Sequence, residues 1–220
     1  MALISAGAPL SAVAVMRDAS VIPVLVIERL EHAVPLARAL TAGGIRMLEV
    51  TLRTPVALAA IEAIARDVPQ AVVGAGTVRS RADVEAAARA GARFAVSPGY
   101  TRAVGAACRA ASLPLLPGVA SAGEVMAAQD DGFNELKFFP AVPAGGVAML
   151  KALAGPFADV LFCPTGGLTP GNAAEFLALS NVACVGGSWL APKEALTAGD
   201  WSRITELARA AAALPRHGPR

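Results

Sequence analysis

The chain has 220 residues, 55% of them hydrophobic and 16% charged, with a formal net charge of +2. That length and apolar content exclude a disordered chain and allow one large domain with much of its sequence buried on two sides. The near-balanced charge excludes a partner held by bulk electrostatics, so neither nucleic acid nor a membrane surface is expected.

The opening segment, MALISAGAPLSAVAVMRDAS, has no Lys or Arg before Arg17 and so lacks the basic region of a signal peptide. No apolar run approaches the roughly 18 residues of a membrane helix, and a cytoplasmic chain is expected. Residues 1–20 read as an extra N-terminal helix covering the bottom of the fold. Short apolar runs then recur along the chain. They are VIPVLVI from Val21, RMLEVTLR from Arg46, AVVGAGTV from Ala71, RFAVSPG from Arg93, LPLLPGV from Leu113, ELKFFP from Glu135, DVLFCPTGG from Asp159 and NVACVGGSW from Asn181.

Alanine-rich segments of helical spacing lie between them. Several open on a capping residue (Ser80, Thr101, Ser121) and several close on glycine (Gly43, Gly91, Gly132). Eight such units predict parallel β-α repeats and a closed (β/α)8 TIM barrel, with an open doubly wound sheet as the alternative. No linker is visible, so residues 1–220 read as a single domain, with 214–220 (LPRHGPR) as a frayed tail.

Cys108, Cys163 and Cys184 form no CxxC pair, which argues against a disulfide framework and for a reducing compartment. His32 and His217 have no metal-ligand neighbour four residues on, so no metal is expected.

Active sites of such barrels lie at the C-terminal ends of the strands, where alternate residues face inward. In RMLEVTLR, Leu48, Val50 and Leu52 suit the helix side, which turns Glu49, Thr51 and Arg53 inward. In ELKFFP the same alternation turns Leu136 and Phe138 outward and Lys137 and Phe139 inward. The expected inward sets of the third and seventh strands are Val73, Ala75, Thr77 and Leu161, Cys163, Thr165.

Glu49, Arg53, Thr77, Lys137 and Thr165 are therefore expected near one mouth. For Glu49 and Lys137 the plainer alternative is an interior salt bridge with no chemistry. An arginine and two threonines beside the pair favour a functional site, because an interior of that polarity costs stability.

Two glycine pairs end consecutive strands: Gly166 and Gly167 in CPTGG, and Gly186 and Gly187, with Ser188, in VGGSW. Tandem glycines admit a ligand close to backbone N–H groups, and loops after the seventh and eighth strands are the usual phosphate site of this fold.

Lysine is scarce here, only Lys137, Lys151 and Lys193 among nineteen basic residues, and Lys137 sits in an aromatic strand. An apolar pocket pushes a lysine toward the neutral amine, the form that attacks a ketone. The iminium that results is an electron sink for breaking the adjacent C–C bond. Glu49 is the interior carboxylate available to move protons, and Arg53 offers a fork for a substrate carboxylate. Together with a phosphate cradle these residues describe a Schiff-base aldolase of a phosphorylated keto acid. A sugar-phosphate isomerase or epimerase remains a reading from another class, and a phosphate-binding scaffold a third.

GGIRMLEVTLRT, VGAGTV, FAVSPG, LPGV, ELKFFPA, GPF, FCPTGG and VGGSWL, in that order from about Val21 to Arg209, resemble the 2-keto-3-deoxy-6-phosphogluconate (KDPG) aldolases, which also split 4-hydroxy-2-oxoglutarate. The resemblance implies an (α/β)8 barrel, a homotrimer, a small phosphorylated keto-acid substrate, no cofactor and a place in the Entner–Doudoroff pathway. It implies Lys137 as the Schiff-base lysine and Glu49 as proton acceptor and donor. Arg53 and Thr77 would bind the pyruvate end, Thr165, Gly166 and Gly167 would line the site, and Ser188 would meet the phosphate. Pro98 and Phe139 would border the pocket. After KFFPA this chain carries Val142, Pro143 and Ala144 where an acidic or amide residue is expected, which bears on the choice among KDPG, its galactonate epimer and 4-hydroxy-2-oxoglutarate.

Overall fold

Strand and helix alternate through most of the described residues, as the apolar runs predict. The computed structural model describes residues 10–215; residues 1–9 of the expected helical extension and 216–220 of the expected tail lie outside the described residues. In chain order the elements are α1 (Ala12–Asp18), β1 (Val21–Leu25), α2 (Ala33–Ala42), β2 (Met47–Thr51), α3 (Ala57–Asp67), β3 (Val72–Gly76), α4 (Arg81–Arg89), β4 (Ala95–Val96) and α5 (Arg102–Ala110). They continue with β5 (Leu115–Leu116), β6 (Gly118–Val119), α6 (Ala122–Asp130), β7 (Glu135–Phe138), α7 (Gly146–Ala154), β8 (Leu161–Pro164), α8 (Ala173–Leu177), β9 (Val185–Gly187), α9 (Lys193–Ala198) and α10 (Trp201–Ala212). The expected caps form: the Ser80 and Thr101 hydroxyls accept from Asp83 and Val104 N–H, and Ser121 forms a capping box with Glu124.

The single closed eight-stranded barrel is corrected. Every strand pair is parallel, but the strands form two sheets, a six-stranded one in the order β5-β4-β3-β2-β1-β9 and a three-stranded one in the order β6-β7-β8. Pro117 causes the division on one side. It has no N–H to give to a ladder and stands between β5, which pairs with β4, and β6, which pairs with β7. On the other side β8 meets the chain around β9 only through isolated bridges, Phe162 to Val182 and Thr165 to Gly186.

Alternation along the strands sorts the core into two clusters. Leu48, Val50, Val73, Ala75, Leu136, Phe138 and Phe162 face the helices in the larger one. Ile22, Met47, Val72, Phe94, Val96, Leu116 and Cys163 form the second, on the opposite face of the sheets. Helix α1, whose first turn is capped by the Ser11 hydroxyl, seals that second cluster with Val15 and Met16. An ion pair from Asp18 to Arg46 ties α1 to the start of β2.

The inward positions expected within β2, β7 and β8 agree with this sorting, whereas Arg53, expected inward with Glu49 and Thr51, lies exposed past the end of β2. The set expected for β3 does not agree: Val73 and Ala75 pack toward the helices, so Val72, Gly74 and Gly76 take the inner face. Glycines carry no hydrophobicity to alternate, and adjacent Val72 and Val73, equally apolar, do not mark which parity faces the helices.

Candidate active site

Two neighbouring positions on opposite strands build the centre. Glu49 sits in mid-β2, beside Val24 of β1 and Gly74 of β3, and only 3% of it is exposed. Lys137 sits in β7 between Gly118 of β6 and Cys163 of β8, and is 5% exposed. Leu48 and Val50 on one strand, and Leu136 and Phe138 on the other, are drawn to the helix side. The same alternation turns the carboxylate and the amine toward each other. Lys137 Nζ donates to Glu49 Oε1 at 3.2 Å, across the gap between the two sheets. Nζ also lies 5.3 Å from the centroid of the Phe139 ring.

No buried side-chain nitrogen or oxygen among the described residues lacks a hydrogen-bond partner, so the pair is compensated within the fold. Removing either member would leave the other buried and unpaired.

Thr165 continues β8 one residue beyond Pro164. It is buried, and its Oγ1 lies 3.3 Å from the Cys163 carbonyl and 3.9 Å from Cys163 Sγ. Phe139 is half-buried at the end of β7 and precedes Pro140 through a cis peptide bond. Pro98 is half-buried after β4, with its carbonyl against Gly118. Thr77 follows β3 with φ at 59°, a left-handed conformation, so strand alternation does not set its direction.

The two glycine pairs differ in kind. Gly166 and Gly167 have φ of 102° and 80°, a turn that favours glycine, and a side chain on Gly167 would crowd Val142. Gly186 and Gly187 are not left-handed. A Cβ there would overlap the Thr165 side chain and the Trp189 ring, so these glycines make room for their own neighbours.

Two expected members are not drawn into the buried centre. Arg53 is exposed past the end of β2, and no side-chain hydrogen bond or ion pair holds its guanidinium among the described residues. Ser188 is exposed after β9, on the rim of a cavity of ≈260 Å³ shared with Val24, Arg29, His32 and Lys193.

Sequence reasoning turned Thr51 inward but gave it no role, and it missed Gly76. The Thr51 hydroxyl donates to the Leu25 carbonyl at 2.8 Å and fixes the end of β2 against β1. Gly76 lies against the Glu49 carboxylate; its only sequence signal was the GAG spacing, which a hydrophobicity pattern cannot weigh.

A buried primary amine held by a carboxylate, with hydroxyls and a glycine turn at the same strand ends, is suited to covalent carbonyl chemistry. No group of three or more His, Cys, Asp or Glu able to hold a metal occurs among the described residues. No helix among them is long and apolar enough to cross a membrane.

Comparisons with known proteins give the chain a family. Residues 12–207 match the family described as KDPG and KHG aldolase, KHG being 4-hydroxy-2-oxoglutarate. The chain is 53% identical over 201 residues to the "KHG/KDPG aldolase" of Escherichia coli (strain K12), covering 91% of this chain and 94% of that protein. It is 54% identical over 199 residues to the "2-dehydro-3-deoxy-phosphogluconate aldolase" of Pseudoalteromonas atlantica, covering 90% and 93%. A crystal structure of KDPG aldolase from Legionella pneumophila, with pyruvate captured at low pH as a covalent carbinolamine intermediate, superimposes with a TM-score of 0.91 at 51% identity. That match covers 93% of this chain and 99% of the Legionella one. The chain belongs to the KDPG and KHG aldolase family.

Proposed function

We propose that this chain is a Schiff-base aldolase that cleaves KDPG reversibly to pyruvate and glyceraldehyde 3-phosphate, with Lys137 as nucleophile and Glu49 as proton carrier. The observation that carries the reading is the buried Lys137–Glu49 contact of 3.2 Å in a chain of this family. Glu49 takes a proton from the ammonium, and the free amine attacks the C2 ketone. The carbinolamine that forms is of the kind captured in the Legionella enzyme. Loss of water, with its proton supplied through Glu49, gives the iminium.

Glu49 then takes the C4 hydroxyl proton as the C3–C4 bond breaks. The bonding pair flows to the iminium nitrogen, and glyceraldehyde 3-phosphate leaves. The enamine takes a proton at C3, the new methyl carbon, and hydrolysis frees pyruvate and Lys137. The Phe139 ring walls the amine, Thr165 and Thr77 supply hydroxyls, and Arg53 reaches back from the rim to the substrate carboxylate. Pro98 and the Gly166–Gly167 turn border the pocket, and Ser188 with Gly186 and Gly187 faces the phosphate.

A second substrate, 4-hydroxy-2-oxoglutarate, is favoured by the name of the Escherichia coli relative. It presents the same pyruvate half to Lys137 and differs only at the distal end. An isomerase or epimerase has no use for the lysine, and the family match sets that reading aside. The enzyme is read as a cytoplasmic homotrimer. The three cysteines, all buried and none in a disulfide, support a reducing compartment, and exposed Leu30, Leu58 and Met126 support contacts between copies.

The test is a cleavage assay that follows pyruvate release from each substrate. KDPG cleavage with the higher kcat/KM is the expected result. Release from neither substrate would overturn the proposal, and faster release from 4-hydroxy-2-oxoglutarate would reverse the substrate order.

A further inference from the structure

We propose that Gly76 is a positioning residue for catalysis, whose missing side chain creates the space in which the Glu49 carboxylate reaches Lys137. The inference rests on the role given to Glu49 above. Gly76 ends β3 in register with Thr51 of β2, and its carbonyl accepts from the Leu52 N–H at 2.8 Å, so the ladder holds its backbone in place. Its φ is not left-handed, and the backbone there would accept an L side chain without strain.

The need for glycine comes from elsewhere. A Cβ at 76 would overlap Glu49 Oε1 and stand 2.6 Å from Cγ and 2.8 Å from Cδ, and these are the three nearest atoms. Oε1 is the atom bonded to Lys137 Nζ. A methyl at 76 therefore acts on the contact between base and nucleophile before it acts on anything else.

Gly74, two residues earlier on the same face, shows the contrast. A Cβ there would meet the Phe94 ring at 2.5 Å, so that glycine serves the packing below the site. One glycine of the GAG run is shaped by an apolar plug, and the next by a carboxylate.

The test is Gly76→Ala in two backgrounds, wild type and Glu49→Ala. In wild type it is expected to lower kcat for KDPG cleavage by about 10²-fold, as a displacement of about 1 Å in a catalytic group does, while KM moves far less. Exchange of pyruvate methyl hydrogens into deuterated water, which follows proton transfer at the enamine, should fall with kcat. The end-point yield of pyruvate reduced onto Lys137 by borohydride should persist. In Glu49→Ala, where Cγ, Cδ and Oε1 are gone, Gly76→Ala should cost no further activity and no thermal stability, though it lowers the unfolding midpoint of the wild type.

Equal losses in both backgrounds would make Gly76 an ordinary packing glycine and overturn the proposal, as would a fully active Gly76→Ala. Failure of the underlying reading is separately visible: wild-type enzyme would then form no pyruvyl adduct. The stability cycle would still report whether residue 76 acts on Glu49.

Discussion

The inner face of the two sheets has two ends of opposite character. Around the N-terminal ends of the strands it is an apolar plug: Ile22, Met47, Phe94 and Cys184 are almost fully buried beneath Val15 and Met16 of α1. Two residues further along β2 from Met47, the same face carries Glu49, joined to Lys137 and bordered by Thr51 and Thr165. Both ends use one strand parity and nearly the same degree of burial. Parity decides which residues leave the helix side, and height along the strand decides whether they stabilise or react. The apolar end contributes dispersion and hydrophobic free energy, whereas the polar end lowers stability relative to an apolar filling and holds groups ready for reaction.

Mutation at each end should therefore affect different observables. The largest effect is expected for Lys137→Ala, which removes the nucleophile and leaves Glu49 buried without its partner. KDPG turnover should fall to background, and normal turnover in that variant would remove Lys137 from the mechanism. Glu49→Gln keeps the shape and removes the proton carrier. It should slow steady-state cleavage by roughly 10²–10⁴-fold with the circular dichroism spectrum unchanged. Wild-type rates in that protein would assign proton transfer to another group.

Phe94→Ala strikes the plug instead. It should cost about 3–5 kcal/mol of stability in denaturant unfolding, with kcat per folded molecule nearly preserved. A proportionate loss of kcat would mean that the two ends are not separable.

The smallest effect is expected at alkaline pH, on the helical layer. Burial pushes the Cys108 thiol up from its ordinary value of 9.0 to about 11. A group raised in the folded state contributes stability that is complete below about pH 9 and is lost as pH rises toward 11. Tyr100, held up at about 12 by burial and by the hydrogen bond it donates to Asp131, acts in the same direction at higher pH. Unfolding midpoints should decline over that range, and a thiol reagent at pH 8 should label Cys108 only after unfolding. Rapid labelling of the native protein would contradict its burial.

The parts of the site legible in the sequence were those where large apolar residues alternate with polar ones. In β2 and β7, Leu48, Val50, Leu136 and Phe138 mark the helix side so clearly that Glu49 and Lys137 follow by exclusion. Alternation was misleading in β3, where the inner positions are Gly74 and Gly76 and the apolar Val73 and Ala75 belong to the other face. It was extended too far at Thr77, which leaves the strand in a left-handed conformation, and at Arg53, which lies exposed past the end of β2, and it was silent at Ser188, where a loop sets direction.

The order of strands and helices was legible too, and their closure into one sheet was not. Pro117 was visible in LPLLPGV, but its consequence depends on which neighbour each half of that strand pairs with, a long-range property that local pattern does not carry.

The central claim is that the buried pair is a reacting pair. Its most direct test is borohydride reduction of the enzyme with pyruvate, read by intact mass and peptide mapping in wild type and in Lys137→Ala. A stable pyruvyl adduct on Lys137, absent from the variant, is the predicted result. Wild-type protein that binds pyruvate and remains unmodified would contradict the account and return Lys137 and Glu49 to a structural salt bridge.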